Sequence, residues 1–414
     1  MEFTTNKSTT STSIKDSFKN QGETKTSGAK KTQTSDTQNL DTVMTNLKIA
    51  SGETNSISIN KKIHPLLLNF ATSGGYETSN DDLLLLEQNH ICSSLGVPFL
   101  VISKDTFITG HKPLIDTTKY NKFLALVLKS VKAQQGEIIL ADFEGEMPGF
   151  GGDLSCAQFM PTRVIENSLV TKCTSNANEC LLCSPHTAGL IVDLRDTGGI
   201  MITQLIMSDV AFTKLIWGAT GDLTSLRYQR SLGNIRAKNV VDVQRGFSSP
   251  GRLLGMGTAI SRCPRKFIQG LPSKDQGHDW SPRAQNRRCV PLPLSQSFAK
   301  YAMDDLHRID AILSCLRPSG NSYKSALRVT DVFLAELENP SGAILQIQNE
   351  LGYFARKYGI QKRIKAVEIN RVLVHIKNAF EGRLSIRQKQ IIEQALQRVT
   401  RATSVTVPND LSWF

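Results

Sequence analysis

No apolar run in this 414-residue chain approaches the roughly 20 residues that a membrane-crossing helix requires. The amino terminus also lacks the apolar core that directs secretion. A soluble intracellular protein, nuclear or cytoplasmic and not secreted, is the expectation. Cysteine is sparse: eight residues are scattered along the chain, which argues against a disulfide framework and leaves reduced thiols or metal ligands. Acidic charge falls short of basic charge, 37 Asp and Glu against 49 Lys and Arg, and the net +12 favours a polyanionic partner such as nucleic acid without establishing one.

Residues 1–60 are short of apolar and aromatic side chains and rich in Ser, Thr, Asn and Lys, a composition that buries too little surface to offset the entropy of ordering. A disordered tail is expected there. Its seven Lys and six acidic residues nearly cancel, so the excess positive charge belongs to the remainder.

What is present is a core-forming sequence. With 40% hydrophobic residues, the chain can bury a substantial core and hold more than one structural unit. From residue 63 the apolar content rises, and "DDLLLLEQNHICSSLGVPFLVI" reads as a helix followed by a short strand. Helical spacing behind a Thr cap marks 117–133, and the apolar run "IILADFEGE" from 138 reads as a buried strand. "LSCAQFM" (154–160) and "AGLIVDL" (188–194) are further strands, while "MITQLIMSDV", "TSLRYQR" and 297–316 are helical. Strands mixed with helices make this an α/β or α+β chain. "RPSGNSY" (317–323) is a hinge, and beyond it the periodicity is helical with no convincing strand. The expected organisation is a tail over 1–60, a domain over 61–318 with a Cys-containing insert around 161–187, and a basic all-helical domain over 319–414.

The chemistry concentrates in acids. Alternation along a strand puts Asp142 and Glu144 on one face, and two adjacent carboxylates raise each other's pKa unless a cation sits between them. Mg²⁺ and Mn²⁺ prefer such hard oxygen ligands. A solvated strand end would show the same pair, so the pair alone settles nothing. Asp222, in "KLIWGATGDLTSL", stands where an apolar segment passes through glycines into a helix start, suiting an acid that points into a cleft. Tyr301 and Asp305 are four apart on a helix and share a face, as they would in any amphipathic helix.

Taken in order, Asp142-Phe143-Glu144 after an apolar strand, Asp222 in "GATGDLTSL", and Tyr301 with Asp305 in "YAMDD" resemble the three motifs of the DEDDy 3′–5′ exonucleases, of the ribonuclease D and Werner exonuclease type. "NVVDVQRGF" (239–247) and "GLPSKDQGHDWSPRAQ" (270–285) resemble the intervening family segments, so the likeness runs over about residues 98–316. It implies an α/β, ribonuclease H-like mixed central sheet flanked by helices, with two Mg²⁺ or Mn²⁺ ions held by Asp142, Glu144, Asp222 and Asp305. Tyr301 would orient the attacking water, and nucleoside 5′-monophosphates would leave from the 3′ end of RNA or DNA. Lys274 would steady a phosphate or remain a solvated loop lysine, and Trp280 and Arg283 would be structural. Two departures stand out: the Lys274–Trp280 stretch is one residue short, and Asp222 lies 80 residues after Asp142, a longer gap than the family shows.

The excess falls in the insert, where Cys173, Cys180, Cys183 and His186 offer the donor types of a structural zinc site, or else an ordinary apolar turn with buried thiols. Farther on, 355–371 carries six Lys or Arg against one Glu. Lys362, Arg363 and Lys365 there would follow a nucleic-acid backbone, or form a solvated helix face. Two other readings stay open: a nucleic-acid-binding adaptor with this fold but no catalysis, and an unrelated scaffold. Loss of a carboxylate would favour the adaptor, and none is lost.

Overall fold

The architecture follows from nine residues, Ile138–Glu146, whose alternation splits two cores. Ile139, Ala141 and Phe143 face one apolar layer, and Leu140 faces the other together with Asp142 and Glu144. A strand with apolar residues on both faces belongs in the middle of a sheet covered by helices on each side.

The computed structural model describes residues 63–75, 77–146, 153–162, 187–233, 235–248, 253–274, 293–315, 323–339, 364–365, 374, 377, 382, 384–400 and 404–405. The predicted tail, the four insert residues Cys173, Cys180, Cys183 and His186, Trp280, Arg283, most of the hinge, Lys362 and Arg363 lie outside the described residues, and of Lys365 only the backbone is described.

In chain order the elements are α1 (Pro65–Thr72), α2 (Asn80–Gln88), β1 (His90–Cys92), β2 (Pro98–Ile102), α3 (Thr117–Ala133), β3 (Ile138–Glu146), β4 (Asp153–Thr162), β5 (Gly189–Asp193), α4 (Thr197–Ser208), β6 (Thr213–Ile216), α5 (Thr220–Tyr228), β7 (Val240–Asp242), α6 (Val243–Phe247), α7 (Met256–Ile260), α8 (Arg265–Ile268), α9 (Gln296–Cys315), α10 (Tyr323–Leu337), β8 (Ile364–Lys365), α11 (Ile386–Thr400) and β9 (Ser404–Val405), with a 3₁₀ turn at Arg230–Leu232. The seven-stranded sheet has the order β1-β2-β5-β4-β3-β6-β7. Strands β2, β5, β3, β6 and β7 run one way, and β1 and β4 run against them. The central β5-β4-β3-β6-β7 block, with its second strand reversed, is the ribonuclease H-like mixed sheet expected from the sequence.

Two details correct the sequence reading. Helix α3 is capped by Asp116 and not by a Thr: its carboxylate accepts from the Thr118 and Lys119 amides at 2.8 and 3.2 Å. An ionised acceptor at a helix start satisfies two orphan donors and meets the positive end of the dipole. The C-terminal region, expected to hold no strand, pairs β8 with β9 in a two-residue antiparallel ladder beside its helices.

Helix α3 buries Tyr120, Phe123, Val127 and Val131 against the sheet face that carries Ile139 and Phe143. Helix α4 packs closer still. A Cβ on Gly199 would come within 2.1 Å of the Asp193 carbonyl, so only glycine fits where α4 leaves β5. On the opposite face lies α9, buried almost all round, with Ala299, Met303, Leu306 and Ile309 in the second core. Helix α10 adds Phe333 and Leu337 to the first core, and the Arg227 guanidinium is paired to Glu338 just beyond it.

Candidate active site

The polar residues of β3 and the polar stripe of α9 meet under the sheet. Asp142 and Glu144 project toward α9 because Leu140, two residues earlier, does, and the pair is presented by a strand fixed on both sides by β4 and β6. Directly after Glu144 the β3–β4 register shifts, a bulge that skips Ser155 of β4 beside the acids before pairing resumes at Gly145 and Leu154. From the helix, Tyr301, Asp305 and Arg308 follow at spacings of four and three and share one side of α9. One oxygen each from Asp142, Glu144 and Asp305 lie within 4.8 Å of one another.

Asp222 reaches the same region from the next strand. The chain leaves β6 through Gly218 at φ +74°, a left-handed turn that favours glycine, and enters α5 with Asp222 in its first turn. Asp242 at the end of β7 pins that turn by accepting from the Gly218 amide at 2.9 Å. Asp222 is 8% exposed and stands outside the close triplet, yet its charge acts on Glu144 and the Asp142 charge acts on it. The structure therefore gathers all four carboxylates predicted from sequence, three tightly and one at the flank.

Their ionisation reflects the crowding. Burial, reinforced by Asp305, pushes the Asp142 carboxyl up to about 7. Burial and the Asp142 charge push Glu144 well above the usual carboxylate range, and burial with Asp142 and Asp242 does the same to Asp222. Hard oxygen donors whose negative charge is only partly offset fit a divalent cation, so the donor set suits Mg²⁺ or Mn²⁺.

Two cations already stand at the edge of the cluster. Lys274 and Arg308 each donate to a different oxygen of Asp305. Lys274 also hydrogen-bonds the Tyr301 hydroxyl. Its ammonium lies 4.8 Å from the Tyr301 ring centre, and the Arg308 guanidinium 5.4 Å. Burial alone would lower the Lys274 ammonium, but the Asp305 and Asp142 charges beside it outweigh that and hold it further up. Arg308 went unnoticed in the sequence. Its position three residues after Asp305 was the available signal, since that spacing puts it on the same face.

The other acid of "YAMDD" turns away. Asp304 accepts from the Ser94 amide at 3.0 Å and from its hydroxyl at 2.6 Å, and the next residue on that side, His307, is 2.9 Å from the Ser93 hydroxyl. These bonds tie the β1–β2 turn to α9 and set the helix's rotation, which keeps Asp305 toward β3.

Stability should depend on pH. Asp142 and Asp310, the latter pushed up to about 7 by burial, hold protons in the folded state that the unfolded chain has released above the ordinary carboxylate range. Their stabilising contribution is complete below that range and is lost as pH rises through 7; Glu144 and Asp222 add in the same direction. His307, lowered to about 4 by burial, acts oppositely, but only below its ordinary value. Lys214, lowered to about 7 by burial, opposes the carboxylates only above that pH, so metal-free protein should melt at a higher temperature at about pH 5.5 than at about pH 7. Differential scanning fluorimetry in a chelator checks this, and Mn²⁺ should restore much of the loss at the higher pH.

No protein-family model and no curated protein matches the chain. Among solved structures it is similar to ribonuclease D of Trypanosoma brucei, at 20% identity and TM-score 0.36 over 52% of this chain and 70% of that one. The same enzyme in complex with RNA U12 gives 19% and 0.35 over 52% and 68%. Ribonuclease D of Escherichia coli, described as an exoribonuclease involved in structured RNA processing, gives 15% and 0.33 over 75% and 64%. These are ribonucleases D, the group that the sequence motifs resemble. Among the described residues, no helix is long and apolar enough to cross a membrane.

Proposed function

We propose that this protein is a metal-dependent 3′–5′ exonuclease that hydrolyses phosphodiester bonds of RNA or DNA and releases nucleoside 5′-monophosphates. The observation that carries the reading is the convergence of Asp142, Glu144 and Asp305 within 4.8 Å, with Tyr301 one turn from Asp305 on the same helix. Asp142, Glu144, Asp222 and Asp305 would hold the ions, two Mg²⁺ or Mn²⁺ at full complement. Such ions supply Lewis-acid stabilisation of the attacking and departing oxygens and lower the pKa of bound water.

The protein's own groups do the rest. Burial and the Asp305 charge push the Tyr301 phenol up, so it stays protonated and offers a neutral O–H to orient a water or a phosphate oxygen. Strand β3 and helix α9, both locked by packing, fix the acids in place before substrate arrives. Lys274, which borders the acids through Asp305, would steady an incoming phosphate, and Lys362, Arg363 and Lys365 would extend a basic track for the nucleic-acid backbone. Residues 61–318 would form the catalytic unit, with a basic helical unit over 319–414 and a structural zinc in the insert.

The test is a trimming assay with purified protein, Mn²⁺, and matched 5′-labelled single-stranded RNA and DNA. A ladder shortened from the 3′ end and abolished by chelator is expected. Tight binding without shortening would establish the adaptor reading instead, and the sugar preference follows from the relative rates on the two substrates.

A further inference from the structure

The Asp305 carboxylate, which the exonuclease reading counts as a metal ligand, has both oxygens taken by side chains of this chain. Lys274 holds one and Arg308 the other. Arg308 is 1% exposed and also donates at 2.9 Å to the carbonyl of Pro272, so the guanidinium that neutralises Asp305 anchors the loop that brings Lys274 in. The Lys274 ammonium thus bonds Asp305 and the Tyr301 hydroxyl, and its charge acts on Asp142 and Glu144. A compact cation in that position does electrostatically what a second metal ion would do.

Charge balance points the same way. Once metal binding has displaced their protons, the four carboxylates of Asp142, Glu144, Asp222 and Asp305 stand against the two cations Lys274 and Arg308, leaving two negative charges, the amount that one divalent ion neutralises. A second divalent ion would leave a buried positive excess, which is costly.

We propose that Lys274 is a tethered cation filling the Asp305 side of the cluster, so that the substrate-free protein takes up one divalent ion, held by Asp142 and Glu144, in place of two. This rests on the active-site reading above. Lys274 is then a specificity-determining residue: it sets how many ions the site takes up, and the second can enter only where its ammonium has moved away.

Mn²⁺ binding by full-length protein, measured by calorimetry and by electron paramagnetic resonance without nucleic acid, tests this apart from activity. One Mn²⁺ per chain and an uncoupled spectrum are expected for the wild type. Lys274→Met should bind two, with the exchange-coupled signature of a Mn²⁺ pair, while Lys274→Arg, which keeps the charge, should remain at one. Two Mn²⁺ per wild-type chain would overturn the proposal and leave the exonuclease reading standing. A single Mn²⁺ in Lys274→Met would likewise overturn it, and should that variant fail to fold, the wild-type count decides alone. No Mn²⁺ on either protein would overturn the active-site reading itself.

Discussion

Replacing Asp142 by asparagine should lower 3′ trimming by at least about 100-fold while leaving nucleic-acid binding within a factor of about three. Asparagine keeps the size of the side chain and removes the charge that, with Glu144, faces Asp305 across the space between β3 and α9. The same change should raise the stability of the metal-free protein, because burial and the Asp305 charge already push the Asp142 carboxyl up to about 7 and its ionisation opposes folding. Gain of stability with loss of turnover is the pattern of a site built for a charge that it lacks until the ion arrives. Asp304→Asn is the matched control one residue from Asp305. Its carboxylate accepts from the Ser94 amide and hydroxyl, so the substitution should cost stability and reduce trimming by less than about tenfold. Product ladders and denaturant curves on the two variants check both halves, and an Asp142→Asn protein that trims at the wild-type rate would remove Asp142 from the chemistry.

Arg308→Met should destabilise the fold by about 3–5 kcal/mol, the range for removing one member of a buried ion pair. Methionine fills much of the volume, so packing changes little. What is lost is the partner of one Asp305 oxygen and of the Pro272 carbonyl, both left in a place where Arg308 itself is 1% exposed. Arg308→Lys retains a charge but not the fork that reaches two acceptors at once, so it should fall between the two. Urea unfolding followed by circular dichroism measures the series; a loss under about 1 kcal/mol for Arg308→Met would mean that Asp305 is balanced without it.

Much of this was legible from the chain. Period-2 alternation in 138–144 placed two acids on one face, and a four-residue spacing placed Tyr301 beside Asp305, because the covalent geometry of strand and helix fixes which side chains share a side. The strands at 154–160 and 188–194 were legible for the same reason, being runs apolar on both faces. Capping at Asp116 was misread, since Thr117, Thr118 and Asp116 are all acceptable cap residues and only the backbone dihedrals distinguish them. The β8–β9 ladder was missed because two residues carry no periodicity to detect.

By itself, then, the sequence determined the alternation that makes a covered central strand, the acidic and phenolic groups that it and a later helix carry, and the positive balance of the chain. Only tertiary structure decided that Asp304 is spent on Ser94 while Asp305 turns to β3, that Arg308 is buried, and that the Lys274 ammonium lies on the Asp305 carboxylate. Those outcomes depend on the rotation of α9 and the path of the 271–274 loop, set by contacts between residues some 30 to 210 positions apart. No local propensity encodes such contacts.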